Sequence, residues 1–110
     1  MKDQKYYVYI VTNKANTVLY TGVTNNLEQR IIEHYSKKGG RSFTSKYNCC
    51  YLLYYERFDY ITNAIAREKE IKGWNKQKKL NLVRGFNPDF KFLNEELFGK
   101  WPPDEITSRI

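Results

Sequence analysis

Glu68 is the residue most at odds with its surroundings. Ile61, Ala64, Ile65 and Ile71 recur at helical spacing and mark an inward face. Glu68 stands four residues after Ala64 and seven after Ile61, inside that apolar stripe, while Glu70 points elsewhere. A carboxylate on a buried face is costly unless it meets positive charge. That charge is either an arginine or lysine in a structural ion pair, or a metal ion. On an earlier helical stretch Arg30, His34 and Lys37 fall at i, i+4 and i+7 and share one stripe. A guanidinium stays charged and offers phosphate two parallel bonds. An imidazole one turn away can hold a water or donate a proton near neutral pH. The plain alternative for this stripe is a solvated helix face. Tyr9 and Tyr20 lie on two strand-like runs and can meet across a ladder; ordinary cross-strand packing is the alternative there. Together these positions supply a hydroxyl pair, a guanidinium, an imidazole and a carboxylate.

The elements that must hold them can be read along the chain. Tyr6 to Thr12 and Val18 to Val23 are rich in β-branched and aromatic residues and predict an antiparallel hairpin around the polar turn Asn13 to Thr17. Gly22, near a strand end, marks a bulge or a close approach by another group. Thr24-Asn25-Asn26 offers capping chemistry for a helix to about Lys37, which Lys38-Gly39-Gly40 stops. Arg41 to Asn48 reads as a basic loop. Tyr51 to Phe58 reads as a third strand, central or well covered. Thr62 caps a second helix to about Lys72, with Gly73 just past its end. Asn75 caps a third, from Lys76 to about Arg84, closed by Gly85. Asn87-Pro88-Asp89 is a turn, and Phe90, Phe92, Leu93, Leu97 and Phe98 dock a short helix on the core. The order β-β-α-β-α-α predicts an α+β fold, with helices on a small three-stranded antiparallel sheet. One domain over residues 1–98 is expected, followed by a tail over 99–110.

Charge narrows the partners. The 110 residues carry a formal charge of +7. Residues 1–84 hold 16 basic and 7 acidic residues, whereas residues 85–110 hold 3 and 5. No acidic residue lies between His34 and Tyr55, a stretch that contains Lys37, Lys38, Arg41 and Lys46. Such a patch favours a polyanion, nucleic acid first and an anionic membrane second; the alternative is a surface that only aids solubility. No apolar run is long enough to span a membrane, and the N-terminus has no signal-peptide core. Cys49 and Cys50 are neighbours, a poor geometry for bridging, and read as reduced thiols of a cytoplasmic protein. One histidine and this pair do not make a zinc site.

These positions resemble the GIY-YIG nuclease superfamily. Tyr7-Val8-Tyr9 is similar to the GIY half of its signature and Tyr20-Thr21-Gly22 to the YIG half. Arg30 follows the second tyrosine by ten positions and His34 comes one turn later, as in the family. Ala64-Ile65-Ala66-Arg67-Glu68 looks like the segment that carries the family's metal-binding glutamate. The stretch Tyr6 to Phe58, the run Arg67 to Gly73 and the segment Asn87 to Phe90 resemble small standalone bacterial members, often described as excinuclease-like. The likeness covers residues 5–98. Five positions at the right spacing and in the right order make it specific. Tyr7 replaces the glycine of the first tripeptide. Val23 stands where the repair enzymes often carry a lysine. A late asparagine joins the site in some members, and Asn75, Asn81 and Asn87 are all candidates.

The resemblance implies a metal-dependent endonuclease that hydrolyses nucleic-acid phosphodiesters, DNA before RNA, in repair or recombination. Glu68 would hold one Mg²⁺ or Mn²⁺, and Arg30 would steady the phosphate. Tyr9 or Tyr20 would address the attacking water, with His34 as relay. A tyrosine ordinarily titrates near ~10 and needs nearby positive charge to act as a base at neutral pH. Lys37, Lys38, Arg41 and Lys46 would guide the backbone. The rival reading is a nucleic-acid-binding module with this fold and little or no nuclease activity.

Overall fold

The computed structural model describes residues 4–37 and 40–102. Lys38 of the basic patch and most of the expected tail lie outside the described residues. Strand β1 (Tyr6–Thr12) is followed by β2 (Leu19–Thr24), helix α1 (Leu27–Ser36), a short helix α2 (Phe43–Lys46), β3 (Tyr51–Phe58), α3 (Ile61–Lys72), α4 (Lys76–Phe86) and α5 (Asn94–Phe98). The α+β architecture is the expected one, with α2 added inside the segment predicted as a loop. Ser42 caps α2 by accepting from the Ser45 amide. Four residues are too few to show a helical period in sequence.

The sheet order is β2-β1-β3, and both pairings are antiparallel. β1 is therefore the central strand, and β3 is an edge strand that is well covered. The hairpin is held by Asn13, whose Oδ1 accepts from the amides of Thr17 (2.8 Å) and Val18 (3.2 Å). That turn sets a register in which Tyr9 faces Gly22 and Val11 faces Tyr20. Side chains alternate across β1. Val8 and Ile10 join Ala64, Ile71 and Val83 on one face; Tyr9 and Val11 join Leu27 and Ile31 on the other. A bulge shifts the β1–β3 register between Ile10 and Val11, leaving Leu53 as the extra residue. Leu53 and Tyr54 thus both pack with Val8 and Ile10, while Leu52 packs with Tyr9. This is why β3 is apolar without alternation.

The C-terminal segment fastens to β3. Asn94 accepts from the Leu52 amide (2.8 Å) and donates to the Cys50 carbonyl (2.9 Å). The Leu93 amide donates to the Leu52 carbonyl, and Asn87 Nδ2 donates to the Leu53 carbonyl.

Two helices differ from expectation. α3 starts at Ile61 behind Tyr60, which makes no side-chain cap bond, so Thr62 lies inside the helix. Ala64 and Ile71 are fully buried, but Ile61 and Ile65 are 48% and 37% exposed. The buried stripe is narrower than predicted because Ile65 lies about 100° round the helix from Ala64 and Ile61 sits in the opening turn. Glu68 therefore lies on the flank of this stripe. α4 runs through Gly85 to Phe86, and Asn87 takes the cap position. Phe86 holds the last turn by meeting the Tyr54 and Tyr55 rings edge-on.

Thr21 Oγ1 is buried and, among the described residues, has no hydrogen-bond partner. Such a group costs about 1–3 kcal/mol. Thr21→Val keeps the shape and the β-branch and removes the stranded hydroxyl. Thermal unfolding of this variant should show a midpoint a few degrees higher; a lower midpoint would mean that the hydroxyl has a partner in solution.

Candidate active site

The hairpin and α1 bring three of the singled-out residues into one bonded chain. Asn26 caps α1 by accepting from the Gln29 amide, and Leu27 and Ile31 bury its inner face. This turns Arg30 and His34 toward β1. Arg30 Nε donates to Tyr9 Oη (3.3 Å), and Tyr9 Oη lies 2.9 Å from His34 Nε2. His34 Nδ1 lies 3.0 Å from Thr44 Oγ1 on α2. Tyr9 is 1% exposed and His34 3%. His34 thus leaves the solvated face its stripe allowed. A proton on His34 Nδ1, donating to Thr44, leaves Nε2 to accept from Tyr9 and so gives the Tyr9 hydroxyl an acceptor; the opposite tautomer reverses both bonds.

Burial pushes the Tyr9 hydroxyl up to about 12, against the opposing pull of Arg30, so it remains a phenol at neutral pH. Burial, reinforced by the charges of Arg30 and Lys37, holds His34 down to about 4. A histidine ordinarily titrates near 6.5, so the unfolded chain takes up a proton between about pH 4 and 6.5 that the folded chain refuses. The stability this provides is fully present above pH 6.5. It is lost as pH falls toward 4, by on the order of 3 kcal/mol. His34 is the chain's one histidine. An NMR titration of its ring protons should therefore give a midpoint well below 6; a midpoint at 6.5 would show an imidazole free of this network.

Gly22 lets Tyr9 sit where it does. A Cβ on Gly22 would overlap the Tyr9 hydroxyl and come within 2.5 Å of its Cζ. Tyr20, two residues earlier on β2, shares the same face. Its ring lies 6.5 Å from that of Tyr9, 5.9 Å from His34 and 6.0 Å from Phe43. Among the described residues its hydroxyl has no hydrogen-bond partner. The two tyrosines are diagonal neighbours, and only Tyr9 is committed to the network.

Glu68 reaches this group through a residue that sequence reasoning missed. Lys72 Nζ pairs with Glu68 Oε2 at 2.8 Å and lies 5.4 Å from the centre of the Tyr20 ring. The ion-pair alternative for Glu68 is therefore realised, and α3 meets the Tyr20 side of the sheet at edge strand β2. The Glu68 carboxylate beside Lys72 raises the lysine above its ordinary value. The Glu68 side chain is 14% exposed, and its Oε1 has no partner among the described residues. The signal for Lys72 was present: a glutamate followed by lysine at i+4 is the favourable helix pair. Its contact with Tyr20 is tertiary and left no trace in the spacing. Thr44 had no signal at all.

No group of three or more His, Cys, Asp or Glu gathers among the described residues. A cation held at Glu68 would take one carboxylate and fill its shell with water and substrate oxygens, the habit of Mg²⁺. The residues fit that ion and do not fit zinc. Arg30 also pairs with Glu33 through Nη1 (2.8 Å). A small cleft of about 170 Å³ opens between α1 and α2, with Arg30, His34, Lys37 and Thr44 in its walls. Lys37, Arg41 and Lys46 are exposed. The late asparagines are engaged elsewhere: Asn75 caps α4, Asn81 bonds Gln77 and Arg84, and Asn87 bonds Leu53 and Lys91. Both cysteines are buried and neither forms a disulfide. No helix among the described residues is long and apolar enough to cross a membrane.

Comparison with known proteins shows what the chain is similar to. A family model described as the GIY-YIG catalytic domain matches residues 5–81. A UPF0213 protein of Staphylococcus saprophyticus is 42% identical over 79 residues, covering 72% of this chain and 94% of the relative. A UPF0213 protein of Natronomonas pharaonis is 40% identical over 78 residues, covering 71% and 89%. The solution NMR structure of a UPF0213 protein from Bacillus halodurans superposes with a TM-score of 0.52 at 27% identity, over 83% of this chain and 95% of that one.

Proposed function

The chain belongs to the GIY-YIG family, and from that premise we propose that it is a metal-dependent endonuclease hydrolysing phosphodiester bonds of DNA. The observation that carries the reading is the bonded chain Arg30–Tyr9–His34–Thr44, with Tyr20 set between it and the Lys72–Glu68 pair. Glu68 would hold one Mg²⁺ or Mn²⁺; when bound, such an ion neutralises charge on the phosphate and on the departing 3′ oxygen. Arg30 keeps N–H groups beyond those given to Tyr9 and Glu33, and these meet the phosphate oxygens as charge shifts in the transition state. Tyr9, a buried phenol held from both sides, acts as a fixed post that positions Arg30. Tyr20, with its hydroxyl uncommitted, addresses the attacking water. Lys72 supplies, from α3, the positive charge that Val23 does not. Its position over the ring has the sign that stabilises negative charge building on the Tyr20 oxygen. His34 orients Tyr9, and its low proton affinity suits an acceptor better than a resting base. Lys37, Lys38, Arg41 and Lys46 guide the phosphate backbone.

The test is cleavage of labelled single-strand, duplex, flap and four-way-junction DNA by the unaltered chain, with Mg²⁺, Mn²⁺ or EDTA. Cutting that requires the metal and weakens steeply with salt is the expected result. Salt-sensitive binding without cutting on any substrate would overturn the reading. It would favour a binding module in which Glu68 serves only its ion pair with Lys72.

A further inference from the structure

Phe43 opens α2 and Tyr47 caps its C-terminal end; they are 47% and 41% exposed. Neither belongs to either core cluster. Their rings lie 5.0 Å apart, and Phe43 continues toward Tyr20 at 6.0 Å. The element that presents them is anchored: Thr44 and Ser45 are buried, Thr44 bonds His34, and the Cys49 amide donates to the Thr44 carbonyl. α2 and its C-terminal cap thus turn two polar residues inward and two aromatic faces outward, beside the candidate active site. Lys46 Nζ lies 5.5 Å from the centre of the Tyr47 ring, and Arg41 is exposed one turn before. A groove of about 560 Å³ leads on past Tyr47, with Lys14, Asn48 and Tyr51 in its walls.

We infer that Phe43 and Tyr47 form a stacking site for an unpaired nucleobase, and that the substrate strand is single-stranded where it passes the active site. An aromatic platform with flanking cations fits a base face and its phosphates together. In a duplex the base faces are stacked on one another, so only an unpaired base can use this surface. The position of the cut relative to that base rests on the endonuclease reading above; the stacking site does not.

The experiment uses the whole chain in EDTA and an oligonucleotide carrying one 2-aminopurine, alone or annealed to its complement. The unaltered chain should quench the single strand's fluorescence on binding. Phe43→Leu with Tyr47→Leu should lose that quenching and bind the single strand about ten-fold more weakly, while duplex affinity changes less than about two-fold. Circular dichroism checks that the double variant is folded. If it is not, Tyr47→Leu alone carries the test, since that ring lies outside the core. Equal losses on both substrates, or none, would overturn the inference. Cleavage with Mg²⁺ separates the two readings. No cutting anywhere sinks the endonuclease but leaves the quenching result standing. Duplex cut as fast as single strand, and unaffected by the leucines, sinks the stacking site alone.

Discussion

Glu68→Gln should lower the cleavage rate at least ~10³-fold, about 4 kcal/mol of transition-state stabilisation. DNA affinity in EDTA should stay unchanged. Glutamine keeps the length and shape of the side chain but loses the charge that both a divalent ion and Lys72 require. The effect on folding should be small. The Glu68–Lys72 pair is an i,i+4 contact whose lysine side is 45% exposed, and such pairs contribute about 0.3–0.5 kcal/mol. An activity collapse with an unmoved unfolding midpoint would separate chemistry from stability. Lys72→Met sharpens the comparison, because it removes the cation above Tyr20 and leaves Glu68 charged. A Glu68→Gln protein that still cuts within ten-fold of the unaltered chain would exclude this carboxylate as a metal ligand.

Gly22→Ala should damage folding and cleavage together. The new methyl collides with the Tyr9 ring, which is buried and bonded to His34 and Arg30, so it cannot swing away without breaking that network. Overpacking of this kind costs about 1–3 kcal/mol. Displacing Arg30 and His34 with Tyr9 should cost a further ~10²-fold in rate. The double variant Gly22→Ala, Tyr9→Leu provides the check. It relieves the collision and should recover part of the stability measured by urea unfolding, yet stay as inactive as Gly22→Ala alone. Full activity in Gly22→Ala would show that Tyr9 does not position Arg30.

Much of this fold can be read from residue types. β1 and β3 run over the residues where β-branched and aromatic side chains concentrate, and both capping asparagines, Asn26 and Asn75, are in place. The central position of β1 was not legible, because strand order is decided by pairing and not by composition. The bulge at Leu53 explains how β3 can be apolar without alternation while lying at the margin of the sheet, the well-covered alternative of its reading. Of the candidate site, Arg30 and His34 stood out by helical spacing and Glu68 by its place among apolar residues. The reason for Gly22 became visible only with the register, which sets it opposite Tyr9. Lys72 and Thr44 act through contacts between elements distant in sequence, and no local pattern announces such contacts.

The amides of Asn87 and Asn94 and the backbone of Leu93 do more than tie down the C-terminal segment. A strand at the margin of a sheet offers a row of unmet N–H and C=O groups to any other extended chain. On β3 the N–H and C=O of Leu52 and the C=O of Leu53 are already occupied, as is the C=O of Cys50 just before the strand. The segment past residue 81, where the family match ends, therefore works as a guard against edge-to-edge polymerisation. A fragment trimmed to the matched residues would keep every candidate catalytic side chain and lose that protection against aggregation.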